Sequence, residues 1–347
     1  MSYANLVNIT CTDKTEFFTR MRDFICKRNG TYDYSATGIG WTLHDSSYAV
    51  DEDSPAINDW FVIYSAGEGT KDDLYFKCTW VSAYIKFEGY QSWDSTTHAG
   101  STNKYNVANN FTMPETGTYI LWLYGDLDGI YVINNLLGGN SCYGVNFGKL
   151  APGWDDLTGE IAACSSALTA GSDVRITVDS APAEWAIGRE IFIRTTHDNA
   201  MTTVKIEKIT IKTITGNVIT ADLSNSYTAG ASLSDFVGYY CQGSNQMAST
   251  NYGLISEQGT INAFIGIPRY LALTTEFFNP GQYEDRFYLL DYFYQSALGL
   301  AGKNKLIKRV PTFVAGFAIG DILEESDGTQ WRCFKVYNGT YIAIKEV

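Results

Sequence analysis

The sequence predicts a mainly β protein: a discontinuous antiparallel β body with an N-terminal helix and an inserted small β-barrel domain. Short β-prone runs of period two follow one another, separated by Gly, Asn, Asp and Ser. One capped amphipathic segment near the start reads as a helix. The composition shifts near residue 165 and shifts back near 237, which divides the chain into a first body segment (1–164), an inserted barrel (165–237) and a second body segment (238–347).

The helix is expected over 13–29. Asp13 with Glu16 three residues later forms a capping box, Phe17, Met21, Phe24 and Ile25 fall on one helical stripe, and Asn29-Gly30 ends it. Strands follow at about 38–43, 60–65, 73–80, 83–90, 118–124 and 129–134. The runs Leu74–Trp80 and Ala83–Tyr90 read as a hairpin whose alternation turns Lys77, Lys86 and Glu88 away from the core. Asp128-Gly129 supplies a second hairpin turn.

In the insert, Val174–Val178, Gly188–Ile193, Thr203–Ile211 and Val218–Ala221 are β-branched strands of a small barrel. The body resumes at Phe264–Thr274. The aromatic run Phe287–Tyr294 fits a strand buried on both faces or a short helix, and periodicity leaves both open. A C-terminal hairpin unit follows in Val310–Ala315, Gly320–Leu323, Thr329–Val336 and Thr340–Ile344, with Asp327-Gly328 and Asn338-Gly339 at its turns.

Composition bounds the function. Lys plus Arg number 25 against 38 Asp plus Glu, a net charge of −13 over 347 residues. That excludes a nucleic-acid binder working through bulk charge. Charged residues are 18% of the chain, below the roughly 25% of average globular proteins, while Tyr (24), Gly (32) and Phe (18) are abundant. An aromatic, weakly charged surface points to a component of an assembly. No run is long enough for a membrane helix, and the N-terminus lacks a basic segment followed by an apolar one, so membrane insertion is not expected and synthesis is expected in a cytoplasm. The seven Cys (11, 26, 78, 142, 164, 241, 333) are scattered without metal-ligand spacing. They read as buried thiols, with disulfides formed after release into an oxidising medium as the alternative.

Several phrases resemble virion structural proteins of tailed bacteriophages, in the tail and baseplate group. These are Asn29-Gly30 with Ile39-Gly40-Trp41-Thr42, Asp59–Ile63 with Gly67-Glu68-Gly69, the Leu74–Tyr90 hairpin with Trp93-Asp94 after it, and Gly125–Ile133. Near the C-terminus, Gly320-Asp321-Ile322, Asp327–Phe334 and Tyr341–Ile344 resemble the closing β-unit of the same proteins. The stretch from Ile176–Val178 through Val218–Thr220 to Ala229–Ala231 is similar to small barrels grafted into viral structural proteins. The resemblance implies a virion protein made in the host cytoplasm and held by contacts with other virion proteins and further copies of itself, without catalysis. Two alternatives stand beside it: a host-surface glycan-binding tail protein, and a neck, collar or capsid-surface component.

No catalytic, cofactor or metal residues are expected. His44, His98 and His197 are far apart and fit no metal-ligand spacing; no nucleophile elbow or phosphate-binding glycine loop is present. The carboxylate groups Asp51-Glu52-Asp53, Asp72-Asp73, Asp126 with Asp128, and Asp155-Asp156 offer an acid and a base for glycoside hydrolysis, with Trp60, Trp93, Trp122 and Trp154 as stacking platforms. Against this, acidic residues cluster in turns for local hydrogen bonding. Asp51-Glu52-Asp53 and Asp126-x-Asp128 as Ca²⁺ sites depart from the EF-hand pattern. Aromatic residues dominate interface hot spots, so Tyr32, Tyr34, Trp41, Tyr48, Trp93, Tyr239, Tyr240 and Tyr252 are the interface candidates.

Overall fold

The computed structural model describes residues 3–48, 54–67, 74–82, 84–90, 93–100, 105–112, 118–136, 142–149, 161–183, 185–194, 206–234, 239–243, 252–254, 260–265, 282–283, 286–287, 289–296, 299–310, 317–335 and 341–346. In chain order they form β1 (Ala4–Cys11), α1 (Lys14–Ile25), β2 (Thr42–Ser46), β3 (Trp60–Ser65), β4 (Leu74–Val81), β5 (Tyr84–Tyr90), β6 (Trp93–Asp94), β7 (Ala99–Gly100), β8 (Tyr105–Thr112), β9 (Tyr119–Asp126), β10 (Gly129–Leu136) and β11 (Tyr143–Lys149). Next come β12 (Ile161–Ala163), β13 (Gly171–Thr177), β14 (Glu190–Arg194), β15 (Ile206–Thr210), β16 (Thr213–Thr215), β17 (Val218–Leu223) and β18 (Ser232–Ser234). The chain closes with β19 (Tyr239–Gly243), β20 (Tyr252–Leu254), β21 (Thr260–Ile265), β22 (Gln282–Tyr283), β23 (Arg286–Phe287), β24 (Leu290–Ser296), β25 (Gly299–Arg309), β26 (Ile322–Glu324), β27 (Gln330–Lys335) and β28 (Tyr341–Lys345). The protein is mainly β, as expected, and the aromatic run 287–294 is strand where it is described.

Helix α1 starts as the sequence predicts. The Asp13 carboxylate accepts the Glu16 backbone N–H at 2.8 Å, and the Glu16 carboxylate accepts that of Thr12 at 2.8 Å. It ends four residues before Asn29, because Lys27 takes the left-handed conformation (φ 52°) and the amides of Ile39, Gly40 and Trp41 donate to the carbonyls of Phe24 and Ile25. Residues 38–41 are therefore a helix-capping loop and not part of a strand. Gly38 is required there, since a Cβ would lie 2.5 Å from the Phe24 carbonyl oxygen.

A twelve-stranded antiparallel sheet runs β1-β9-β10-β11-β19-β20-β21-β24-β25-β28-β27-β26, and a five-stranded sheet runs β2-β3-β4-β5-β8. Alternation explains how they pack. Leu121, Leu123, Ile130, Val132, Val145 and Phe147 point from the large sheet into a first core, where they meet Phe17, Phe18, Met21, Phe24 and Ile25 of α1 and Phe61, Ile63, Phe76, Cys78, Ile85 and Phe87 of the small sheet. The intervening residues Trp122, Tyr124, Tyr131 and Ile133 point the other way, into a second core with Leu306, Ile307, Phe334, Ile342 and Ile344 of the C-terminal strands. The large sheet thus rolls until its ends approach. Tyr3 Oη donates to the Lys345 carbonyl, Asn5 Nδ2 to that of Glu346 at 2.7 Å, and the Cys142 N–H to that of Lys335 at 2.7 Å.

Strands β11 and β19 are hydrogen-bonded neighbours, with Lys149 opposite Tyr239, so everything between them is inserted into what is locally a hairpin. The insert holds a four-stranded sheet, β12-β18-β14-β15, and a three-stranded sheet, β13-β17-β16. Between them lies a separate core that includes Trp185, Ile191, Ile193, Ile209, Ile219 and Leu233. Neither sheet closes on itself, so the expected barrel is here a pair of open sheets. Hydrogen bonds join them at two corners: Ser165 N–H to Thr177 O (2.8 Å) with Asp179 N–H to Ala163 O (3.0 Å), and Lys212 N–H to Thr220 O (2.8 Å). Phe192 alone leaves this core for the second core of the body.

The sheet edges formed by β1, β2 and β13 each carry a register shift, at Leu6/Ile9, Leu43/Asp45 and Gly171/Val174. Such bulges twist an edge away from edge-to-edge pairing.

Since Lys149 and Tyr239 are register partners, replacing 150–238 by Asn-Gly should convert β11 and β19 into a two-residue hairpin. The expected variant unfolds cooperatively in a chemical-denaturant titration, with stability lowered by roughly 3–5 kcal/mol at most from losing Phe192 in the second core; loss of a cooperative transition would refute the insertion geometry.

Candidate functional site

The outer face of the five-stranded sheet, turned away from both cores, carries the densest set of chemically distinctive side chains among the described residues. On β3, Phe61 and Ile63 enter the first core, so Trp60, Val62 and Tyr64 face out; on β4 the alternation of Phe76 and Cys78 leaves Tyr75 and Lys77 outside. Tyr64 lies directly opposite Tyr75, and Val62 opposite Lys77. The bulge in β2 is what adds polar groups. Leu43 pairs with Ile63 and Asp45 with Val62, so the extra residue, His44, joins Asp45 on the same outer face.

A short hairpin, β6–β7, folds over this face. Trp93 is 3% exposed and packs with Val62 and Tyr90, with Trp60 and Tyr75 at the margin. Asp45 Oδ2 clips the hairpin down: it accepts the Trp93 indole N–H at 2.7 Å and lies 2.9 Å from His98 Nδ1. Asp94 Oδ1 shapes the turn by accepting the Thr96 N–H at 2.8 Å, and Gly100 lies flat on Tyr90, where a Cβ would fall 2.0 Å from the ring. The Lys77 ammonium stands over Trp60 and Trp93, 4.4 and 5.2 Å from the ring centroids. Burial and the neighbouring Glu88 carboxylate raise the Tyr90 phenol far above its ordinary value.

Two ring groups therefore flank the hairpin. Trp60 and His98 meet at 5.6 Å; Tyr64 and Tyr75 meet at 5.0 Å, with the His44 ring 5.0 Å from Tyr75 and 6.0 Å from Tyr64. The Asp45–His98 pair holds an imidazole as a catalytic dyad would, but the oxygen that does so is shared with the Trp93 indole, and the arrangement serves to anchor the hairpin.

The interface candidates fare differently. Tyr34, Trp41 and Trp93 are enclosed by the chain itself, at 7, 1 and 3% exposure, and so do not present a surface. Their Gly-, Ser- and Asn-rich neighbourhoods read as exposed loops, yet those loops fold back onto the cores. Trp41 donates its indole N–H to the Asp126 carbonyl at 2.8 Å and packs on Phe147. Tyr32 and Tyr48 are half-buried partners of arginines on α1. The Arg20 guanidinium lies 3.8 Å above the Tyr32 ring and donates to Tyr34 Oη, while Arg22 donates to Tyr48 Oη at 3.3 Å. Tyr239, Tyr240 and Tyr252 lie on β19 and β20, where the backbone alone is described.

The enzyme alternatives lose their described members to the fold. Asp126 Oδ1 accepts the N–H groups of Asp128 and Gly129 at 2.9 and 3.0 Å, fixing the β9–β10 turn, and both carboxylates are buried. Trp122 is buried and donates to Asn8 Oδ1 at 3.0 Å, so it offers no stacking platform. Asp51-Glu52-Asp53, Asp72-Asp73, Asp155-Asp156, Trp154 and His197 lie outside the described residues. Among the described residues no three His, Cys, Asp or Glu side chains are arranged to hold a metal ion. Burial pushes the thiols of Cys11, Cys26, Cys142, Cys164 and Cys333 up to about 12, which keeps them protonated at neutral pH.

Sequence reasoning singled out Trp60 and Trp93 but missed Tyr64, Tyr75 and the clip at Asp45. The two tyrosines were legible in the 60–65 and 74–81 alternation once the strands are placed in register; the bulge at His44 left no sequence signal. No protein-family model matches the chain, and no curated protein matches it, so function is argued from this geometry.

Replacing Asp45 with Ala should lower stability by about 1–3 kcal/mol, because the indole N–H of Trp93 loses its acceptor. Asp45→Asn, which keeps an acceptor oxygen, should cost less than half as much. Denaturant unfolding followed by tryptophan fluorescence checks both, and equal losses would show that the clip is not a hydrogen-bond device.

Proposed function

We propose that the chain is a structural component of a tailed-phage virion, in the tail or baseplate, assembling through contacts with other virion proteins and further copies of itself and performing no catalysis. The observation that carries this reading is where the polar chemistry goes. The described acid, imidazole and indole groups that an enzyme would use are engaged in holding turns and a surface hairpin, at Asp126, Asp45, His98, Trp93 and Trp122. The rolled body also supports it, since a rigid two-core frame with a grafted module suits a part that acts by shape. The bonds at the two corners of the insert support reading it as a barrel-like unit of that kind. Blunted edges at β1, β2 and β13 favour assembly through faces and loops over edge pairing. A net charge of −13 on each copy opposes uncontrolled association before assembly. Among the described residues no helix is long and apolar enough to cross a membrane.

Mass spectrometry of density-purified particles, coupled to light scattering of the isolated chain with and without Ca²⁺, tests the proposal. The chain should be a fixed-stoichiometry component of the particles and a 38.5 kDa monomer alone in both buffers. Its absence from the particles would end the virion reading, and a stable trimer in solution would favour a host-facing tail protein.

A further inference from the structure

We propose that the outer face of the five-stranded sheet is a binding site for a neutral oligosaccharide, centred on Tyr64 and Tyr75. This goes beyond the assembly reading and does not depend on it.

Both tyrosine rings are half-buried, which fixes their orientation while leaving ring surface in water. They are tilted by 36° with centroids 5.0 Å apart, and His44 abuts Tyr75 edge-on, so the three rings form one continuous aromatic strip. A dry protein interface would be expected to add exposed aliphatic groups. The large apolar side chains exposed among the described residues are Ile57, Ile187 and Ile322, none of them on these strands' outward positions. The strip is bordered by polar groups: Lys77 next along β4 and Asp45 next to His44. Rings with polar rims match a ligand that has C–H faces and hydroxyl edges, which is a sugar.

Charge makes the ligand neutral. Lys86 is paired with Glu88 at 2.9 Å, Asp45 is engaged by His98 at 2.9 Å, and Lys77 is placed over two indoles. The face thus matches acid to base across its own strands and presents no one-signed patch that would select an anion or a cation. A second stacking position lies beyond the hairpin, at Trp60 and His98. Tyr64 is four residues from Trp60 on the same strand, which sets the two positions about 13 Å apart and calls for an oligomer rather than a single sugar.

The test is saturation-transfer NMR of the full chain with three neutral tetrasaccharides, built from glucose, galactose and N-acetylglucosamine, at millimolar concentration. At least one is expected to bind. Tyr64→Ala and Tyr75→Ala should each weaken it by about tenfold or more, whereas Tyr64→Phe, which keeps the ring, should retain most of it. Circular dichroism and the thermal midpoint establish that each variant is folded; should Tyr75→Ala unfold, Tyr64→Ala and His44→Ala carry the comparison. No binding of any of the three sugars by the wild type, or binding unchanged in the folded Ala variants, would overturn the proposal. Neither result would bear on whether the chain is found in particles.

Discussion

The β9–β10 hairpin is buried on both of its faces, and the rest of the body is arranged to satisfy that burial. Leu121, Leu123, Ile130 and Val132 need a partner on one side; Trp122, Tyr124, Tyr131 and Ile133 need one on the other. An antiparallel hairpin at the edge of a flat sheet would leave one of these sets in water, at roughly 1.5–3 kcal/mol for each large side chain. The chain covers the first face with α1 and the five-stranded sheet. It covers the second by rolling the twelve-stranded sheet until β25, β27 and β28 lie against it. The bonds from Tyr3 and Asn5 to the last residues, and the bidentate Arg332–Glu346 pair at 2.6 and 2.9 Å, hold that roll shut.

Two features of the molecule follow from this frame. Because both faces of the hairpin are occupied, new sequence is accommodated at a connection, and the insert sits between β11 and β19 with a core of its own. Because α1 and the first core take one face of the five-stranded sheet, its other face is the one left for contact with something else. There the bulge at His44, the clipped hairpin and the outward rows of β3 and β4 gather rings and polar groups that neither core requires. The proposed assembly and the proposed sugar site therefore fall on different consequences of one constraint.

Much of this was legible in the sequence where the signal is local. The Asp13 cap, the strand 60–65, the Leu74–Tyr90 hairpin and the Asp-Gly turn all rest on contacts within a few residues, and the change in composition around 165 and 237 brackets the insert's sheets. What was not legible depends on partners far away in the chain. The helix stops at Ile25 because a loop fourteen residues on takes its last carbonyls, which Asn29-Gly30 does not reveal. Strand β25 is Gly- and Lys-rich and lacks β-branched alternation; it is a strand because β24 and β28 flank it. Trp41 and Tyr34 sit in stretches that read as exposed, and only the tertiary fold shows them turned inward. The insert's sheets were expected to close, but closure depends on corner geometry that alternation does not encode.

The most direct test of the two-faced hairpin is amide hydrogen exchange on the native protein. If β9–β10 is the element on which both cores depend, the amides of Leu121–Tyr124 and Ile130–Ile133 should exchange only through global unfolding and be the slowest in the body, while those of the bulged edge strand β2 and the 93–100 hairpin should exchange through local opening. Exchange of the β9–β10 amides as fast as those of β2 would contradict the account.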